Sequence, residues 1–200
     1  MRLIDTIAAL EALYDPPTPA SLTKVARHLT PLYRAWIGSA RFCILTTVGP
    51  DGTDASPRGD DGPVVRIMDD RTLWLPDWRG NNRLDALRNI VVDGRVSLLF
   101  MVPGSTNVVR VNGHAGVTDD RAATESFAQQ GRHPRVVIVV TLGEVYFQCA
   151  KSIMRSRLWS GVDASAGLPS AGQLLKERMP DLDAETYDLT YPSDASQRMW

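Results

Sequence analysis

The sequence predicts a mainly β fold with helices (α+β), an antiparallel barrel behind an N-terminal helical cap. Three observations predict it. From Phe42 onward, runs rich in β-branched and aromatic residues recur at short intervals, giving six or seven strands. These runs cluster instead of alternating regularly with helices, which argues against a doubly wound parallel sheet. Residues 1–38, by contrast, carry helical spacing and proline caps.

Leu3, Ile4, Ile7, Leu10, Leu13 and Tyr14 recur at helical spacing, so residues 2–14 read as an amphipathic helix that Asp15-Pro16-Pro17 stops. Thr18-Pro19 opens a second helix with a cap residue and a first-turn proline. Thr30-Pro31 restarts or bends it, and helix continues to Trp36. Phe42–Val48 is the first strand, Gly49-Pro50-Asp51-Gly52 a turn, and Thr53–Arg58 its partner. Val64–Met68 and Thr72–Leu75 form a second hairpin around Asp69-Asp70-Arg71. Gly80–Val92 reads as a helix with Leu84, Leu87, Ile90 and Val91 on one face. Strands follow at Arg95–Val102 and Val108–Val117, then a short helix through Gln129 capped by Asp119-Asp120. Arg135–Cys149 is a long β run interrupted at Gly143, and Lys151–Trp159 is helical again. Gly, Ser, Ala and Pro dominate residues 160–200, which read as an irregular C-terminal tail on a single domain spanning 1–200.

Composition excludes several function classes. A formal net charge of -1 makes nucleic acid a poor partner. No apolar stretch reaches the roughly 20 residues that span a bilayer, and Asp5 and Glu11 interrupt the N-terminal apolar positions, so a cytoplasmic protein is expected. Cys43 and Cys149 lie in separate β runs with no Cys/His cluster, so no metal site is expected. Of 22 basic residues only Lys24, Lys151 and Lys176 are lysines. That bias follows either from genome composition or from use of arginine forks on phosphates and carboxylates. His28, His114 and His133 are isolated from one another, and the carboxylate pairs at 60–61, 69–70 and 119–120 fall where turns or caps are expected. The glycine-rich dinucleotide fingerprint, the P-loop and the nucleophile elbow are all missing.

The informative stretch is 73–90. A strand ends at Pro76-Asp77, a polar loop follows, and a helix is expected to start near Asn81. Free N–H groups at that helix start, with Asn81, Asn82 and Arg83 beside them, make a phosphate cradle without a glycine-rich loop. An Asn-capped helix with a surface arginine would present the same residues.

Pro76-Asp77, Gly80-Asn81-Asn82-Arg83, the following helix, Arg95–Phe100 and Val109–Ala115 together resemble the pyridoxamine 5'-phosphate oxidase-like FMN-binding family. Phe42–Gly52 resembles its first hairpin, and Ser56–Asp60 and Phe147–Trp159 resemble a bacterial branch of about this length. The resemblance covers roughly residues 20–160 and is specific in combination. It implies a split barrel and a homodimer with one FMN per subunit at the interface. It implies that Val64, Val65 and Arg66 lie along the flavin, that Pro76 and Asp77 meet the ribityl chain and flavin edge, and that Asn82 and Arg83 take the phosphate. The flavin-facing strand would be Val108–Asn112, and alternation puts Val108, Arg110 and Asn112 on one face. Gln148, Lys151, Arg155, Ser156 and Trp159 would come from the partner subunit. Lys151, Arg155 and Trp159 repeat at i, i+4 and i+8, so one helix would align them. The oxidase's C-terminal Arg-x-His substrate element is absent, so the resemblance carries the cofactor site and not that substrate.

The expectation is therefore an FMN-dependent oxidoreductase acting on a small molecule that the sequence does not identify, with no residue marked as a catalytic acid or base. The same fold holding a deazaflavin (F420) or haem is one alternative. A non-catalytic flavin-binding or stress-sensing module is the other.

Overall fold

Strand alternation is written into Phe42–Gly49 (β1), where Cys43, Leu45 and Thr47 are buried and the residues between them are not. The same period repeats in Arg95–Met101 (β5), which buries Val96, Leu98 and Phe100, and in Val108–Thr118 (β6), which buries Val109 and Val111 and, at its start, also Val108. These side chains meet those of Thr72–Pro76 (β4) and Val137–Gln148 (β7) in one core centred on Phe100, Leu45, Leu73, Leu98 and Val140. Each such aliphatic side chain contributes roughly 1.5–3 kcal/mol when fully buried. The computed structural model describes residues 1–200.

With Gly52–Gly59 (β2) and Arg66–Ile67 (β3), the seven strands form one antiparallel sheet in the order β2-β1-β5-β6-β7-β4-β3. β2 and β3 are its two edges, so the barrel is split rather than closed. Ala40 and Arg41 bridge the gap, accepting from the backbone N–H groups of Val64 (2.8 Å) and Asp60 (3.0 Å). Pro57 is tolerated in β2 because an edge strand leaves one row of donors unused. β6 and β7 slip register where Asn112 faces Glu144 and Gly113 faces Leu142, leaving Gly143 unpaired. Gly113 is required there, since a Cβ would collide with the Thr141 carbonyl. The interruption expected at Gly143 is this bulge.

The helices are shorter than their patterns. Ile7–Glu11 (α1), capped by Thr6, replaces the helix expected over 2–14 and buries none of its residues. Its apolar stripe meets no partner, and short unpartnered helices are marginal in water. Pro19–Thr23 (α2) and Pro31–Gly38 (α3) begin on the expected Thr-Pro caps. Between them the chain is extended, and Ala26 exchanges backbone hydrogen bonds with Val145. Asp85–Val92 (α4) packs on β1, where Asn89 donates to the buried Thr47 hydroxyl (3.1 Å). Arg121–Glu125 (α5) is capped by Asp120, and Lys151–Ser156 (α6) ends at Arg157 in the left-handed region (φ 53°).

Residues 160–200 are not irregular. They contain Ala171–Lys176 (α7), opened by a Ser170/Gln173 capping box, and Ala184–Gln197 (α8), capped by Asp183. These two helices pack on each other to make a C-terminal hairpin. No helix is long and apolar enough to cross a membrane.

Candidate functional site

The end of β4, the loop 77–84, the start of α4 and the edge strand β2 enclose a cleft of ≈ 1080 Å³. Its floor is apolar, formed by Val64, Leu75, Pro76 and Ala86. Its rim carries Arg58, Arg79, Arg83 and Arg198 together with Asp54, Asp77 and Asp85. Arg58 on β2 pairs with Asp77, both side chains being about four-fifths buried (17% and 19% exposed). That bond ties the edge strand to the loop and holds both charges against the floor.

The loop is built by turns rather than by the helix. Asn81 Oδ1 accepts from the Arg83 backbone N–H (3.1 Å), leaving the Asn81 amide free to donate. Asn82 (φ 60°) and Leu84 (φ 62°) both take left-handed backbone, so α4 begins only at Asp85 and Leu84 gives it no side-chain cap. The helix expected to start near Asn81 therefore starts later. Asp85 in its first turn also makes that end a poor seat for an anion. The cradle is instead the loop's own side chains. Arg83 Nε donates to Asp85 Oδ2 (2.8 Å), which orients the guanidinium and leaves its outer nitrogens open.

Of the residues singled out from sequence, Val64, Pro76, Asp77, Asn81, Asn82 and Arg83 line this cleft. Val65 does not; it is buried in the core. Arg66 points elsewhere, donating to the Ser126 hydroxyl (2.7 Å) and carbonyl (2.8 Å) and lying 4.2 Å from the Phe127 ring centre. Val64 and Val65 also precede β3, which is only Arg66–Ile67.

A second set lies apart. Arg110 sits between Leu99 and Tyr146 on the outer face of the sheet, and its Nε is buried without a hydrogen-bond partner. Gln148 ends β7, at the opposite end from Val137, which pairs with Pro76 beside the cleft. Lys151, Arg155 and Ser156 are exposed on α6. The helix stops before Trp159, so the row of three is broken. Trp159 Nε1 donates to the Ser105 carbonyl (2.7 Å) instead. Within one chain none of this set lines the cleft.

Sequence reasoning assigned no role to Arg58, Trp78 or Arg79, although all three lie in the motifs it singled out. Their part in the cleft depends on strand pairing. Nothing local marked Tyr191 or Arg198, which reach the cleft from α8 and its C-cap. No group of three or more His, Cys, Asp or Glu side chains stands close enough to hold a metal ion.

Cys43 lies in the core, where burial pushes its thiol up to about 12, while Cys149 is exposed. One thiol per chain should therefore react quickly with a maleimide at neutral pH, and mass mapping should place it at Cys149. Rapid labelling of Cys43 in the folded protein would contradict this packing. The unfolded thiol ionises near 9.0, and the folded one does not until about 12. The folded state thus holds the proton longer, and stability falls as pH rises above 9.0.

The sequence profile of the family described as pyridoxamine 5'-phosphate oxidase matches residues 29–149. Among solved structures, the chain is similar to a HupZ variant from Group A Streptococcus, with 17% identity, 60% of this chain and 98% of that chain covered, and a TM-score of 0.50. It is also similar to General Stress Protein 26 from Bacillus anthracis (17% identity, 56% and 86% covered, TM-score 0.41). A third is an FMN-binding protein from Syntrophomonas wolfei (11% identity, 58% and 88% covered, TM-score 0.42). A comparison with curated proteins finds no match.

Proposed function

The chain belongs to the pyridoxamine 5'-phosphate oxidase family, and from that premise we propose that it binds FMN and acts as a homodimeric, FMN-dependent oxidoreductase. The observation that carries this reading is the cleft itself. Its lining combines the donor groups of Asn81, Asn82, Arg83 and Arg79 with an apolar floor of Val64, Leu75 and Pro76. A dianionic phosphate joined to a planar ring needs that combination. The donor set and the cleft volume both suit the nucleotide.

Arg83 and Asn82 hold the phosphate, and Asn81 adds an amide donor. Asp77, fixed by Arg58, offers carboxylate oxygens to the hydroxyls of the ribityl chain. Pro76 and Val64 would shield the ring of bound FMN from water. When bound, FMN supplies hydride and single-electron chemistry, and the protein supplies position and electrostatics.

The second set of residues supports a site shared between two copies. Arg110 has a buried nitrogen without a partner, and the cations of α6 face solvent in a single chain. A second copy brings such groups to a cleft that their own chain leaves out of reach.

Purified protein is expected to be yellow and to carry about one FMN per chain, identified by visible spectrum and mass. A haem spectrum would redirect the cofactor assignment, and a protein that stays colourless after incubation with FMN at roughly micromolar concentration would reject it. Turnover of NAD(P)H with an artificial acceptor separates an enzyme from a carrier.

A further inference from the structure

The C-terminal hairpin lies outside residues 29–149, which match the family profile, yet it forms one wall of the cleft. Tyr191, Ala195 and Arg198 follow one another at i, i+4 and i+7 and so share a face, and that face lines the cleft. The hairpin is a unit in itself. Gly172 N–H donates to Asp188 Oδ1 (2.8 Å), and the helices approach so closely that a Cβ at Gly172 would meet the Ala184 carbonyl oxygen at 2.5 Å. Its attachment to the barrel is slight. Beyond Trp159, which is held to the Ser105 carbonyl, the connecting residues 160–169 are all exposed and turn through left-handed backbone at Gly161 and Gly167. α8 buries only Ala184.

At its far end the hairpin is fastened by a closed circuit of contacts. Arg132 Nη1 donates to the carbonyl oxygens of Gln197 (2.9 Å) and Trp200 (3.1 Å). The Trp200 ring meets the Trp78 ring edge-on, with centroids 5.0 Å apart. Trp78 Nε1 donates to Asp60 Oδ2 (2.8 Å), and Gln129 Nε2 donates to Asp60 Oδ1 (2.8 Å). Gln129 and Arg132 then close the circuit by exchanging backbone hydrogen bonds (2.8 and 2.9 Å). Trp78 is also a wall of the cleft, so the fastening sits at its mouth.

We propose that α7 and α8 form a hinged lid on the cleft, latched by Arg132 and Trp78 and swung on residues 160–169, beyond the point where Trp159 is held to the Ser105 carbonyl. A segment held by one half-buried latch and few buried contacts opens at far lower cost than the barrel unfolds. Release of Trp200 therefore admits and discharges the ligand while the sheet stays intact. Only the identity of that ligand rests on the FMN reading; the latch does not.

The test compares the full-length protein with Arg132→Ala and Trp200→Ala, following FMN binding by stopped-flow flavin fluorescence. A gate slows entry and exit alike, so both rate constants should rise roughly tenfold in each variant with Kd nearly unchanged. A rise in the association rate alone would mean that α8 competes for the ligand's place. A rise in the dissociation rate alone would mean a fixed wall. Either result, or no change, overturns the lid. Amide hydrogen exchange without ligand gives the second measurement: α8 should exchange faster in both variants, and unchanged protection overturns the latch. Should the wild type fail to bind FMN, the cofactor reading falls, while the exchange measurement still decides the latch.

Discussion

Arg83→Ala is expected to weaken FMN binding by about 2–3 kcal/mol, roughly 30- to 150-fold. The Arg83 side chain lines the cleft, is 74% exposed, and its only ion pair, through Nε to Asp85, leaves the outer nitrogens without a partner. A phosphate would take two charge-assisted hydrogen bonds from them. Loss of the exposed pair with Asp85 is worth little for folding, so the melting temperature of the ligand-free protein should hardly move. Riboflavin, which lacks the phosphate, should bind the wild type and the variant almost equally. Equal loss of riboflavin and FMN would make Arg83 a structural residue of the loop.

A mixed dimer should keep about half its flavin capacity when one subunit carries Arg83→Ala and the other carries Lys151→Ala with Arg155→Ala. The reasoning follows from where the two sets of residues lie. Arg83 is at the cleft, whereas Lys151 and Arg155 are exposed on α6 and line no part of it. If each site takes its cleft from one chain and its α6 cations from the other, one site of the mixed dimer loses all three side chains and the other keeps them all. If each site is built within one chain, Lys151 and Arg155 lie outside it, so the homodimer carrying Lys151→Ala with Arg155→Ala in both chains keeps wild-type affinity, whereas a shared site requires that it lose affinity at both clefts. Flavin titration of that homodimer beside the tagged heterodimer separates the two outcomes. Wild-type affinity in the homodimer would reject the shared site and leave FMN binding by the cleft intact.

Elements whose signals are local were legible. Thr18-Pro19, Thr30-Pro31 and Asp120 mark helix starts because a cap hydroxyl or carboxylate and a first-turn proline act within a few residues. Where a signal was local but weak, the reading failed. Ser170 and Gln173 form a capping box and Asp183 caps α8, yet Gly, Ser and Pro around them, and Pro192 inside α8, masked the helical pattern. The helix start at Asp85 was also missed, since neither Asn82 nor Leu84 announces a left-handed conformation as a glycine would. In the cleft, the loop residues Asp77, Asn81, Asn82 and Arg83 were readable because they adjoin in sequence. Arg66 was misplaced because its hydrogen bonds go to Ser126, far along the chain.

By itself the sequence determined the α+β class, the strand runs that carry Cys43, Leu45, Val96, Leu98 and Phe100, and the interruption of the long run at Gly143. Side-chain period and backbone sterics depend on neighbours a few residues away, so a single chain of letters carries them. Only the tertiary structure decided the strand order, the pairing of Arg58 with Asp77, and the reach of Tyr191 and Arg198 from α8 to the cleft. Such contacts join residues far apart in sequence. Their geometry is set by how the whole sheet curls and which surfaces are left to cover, and no local pattern encodes it.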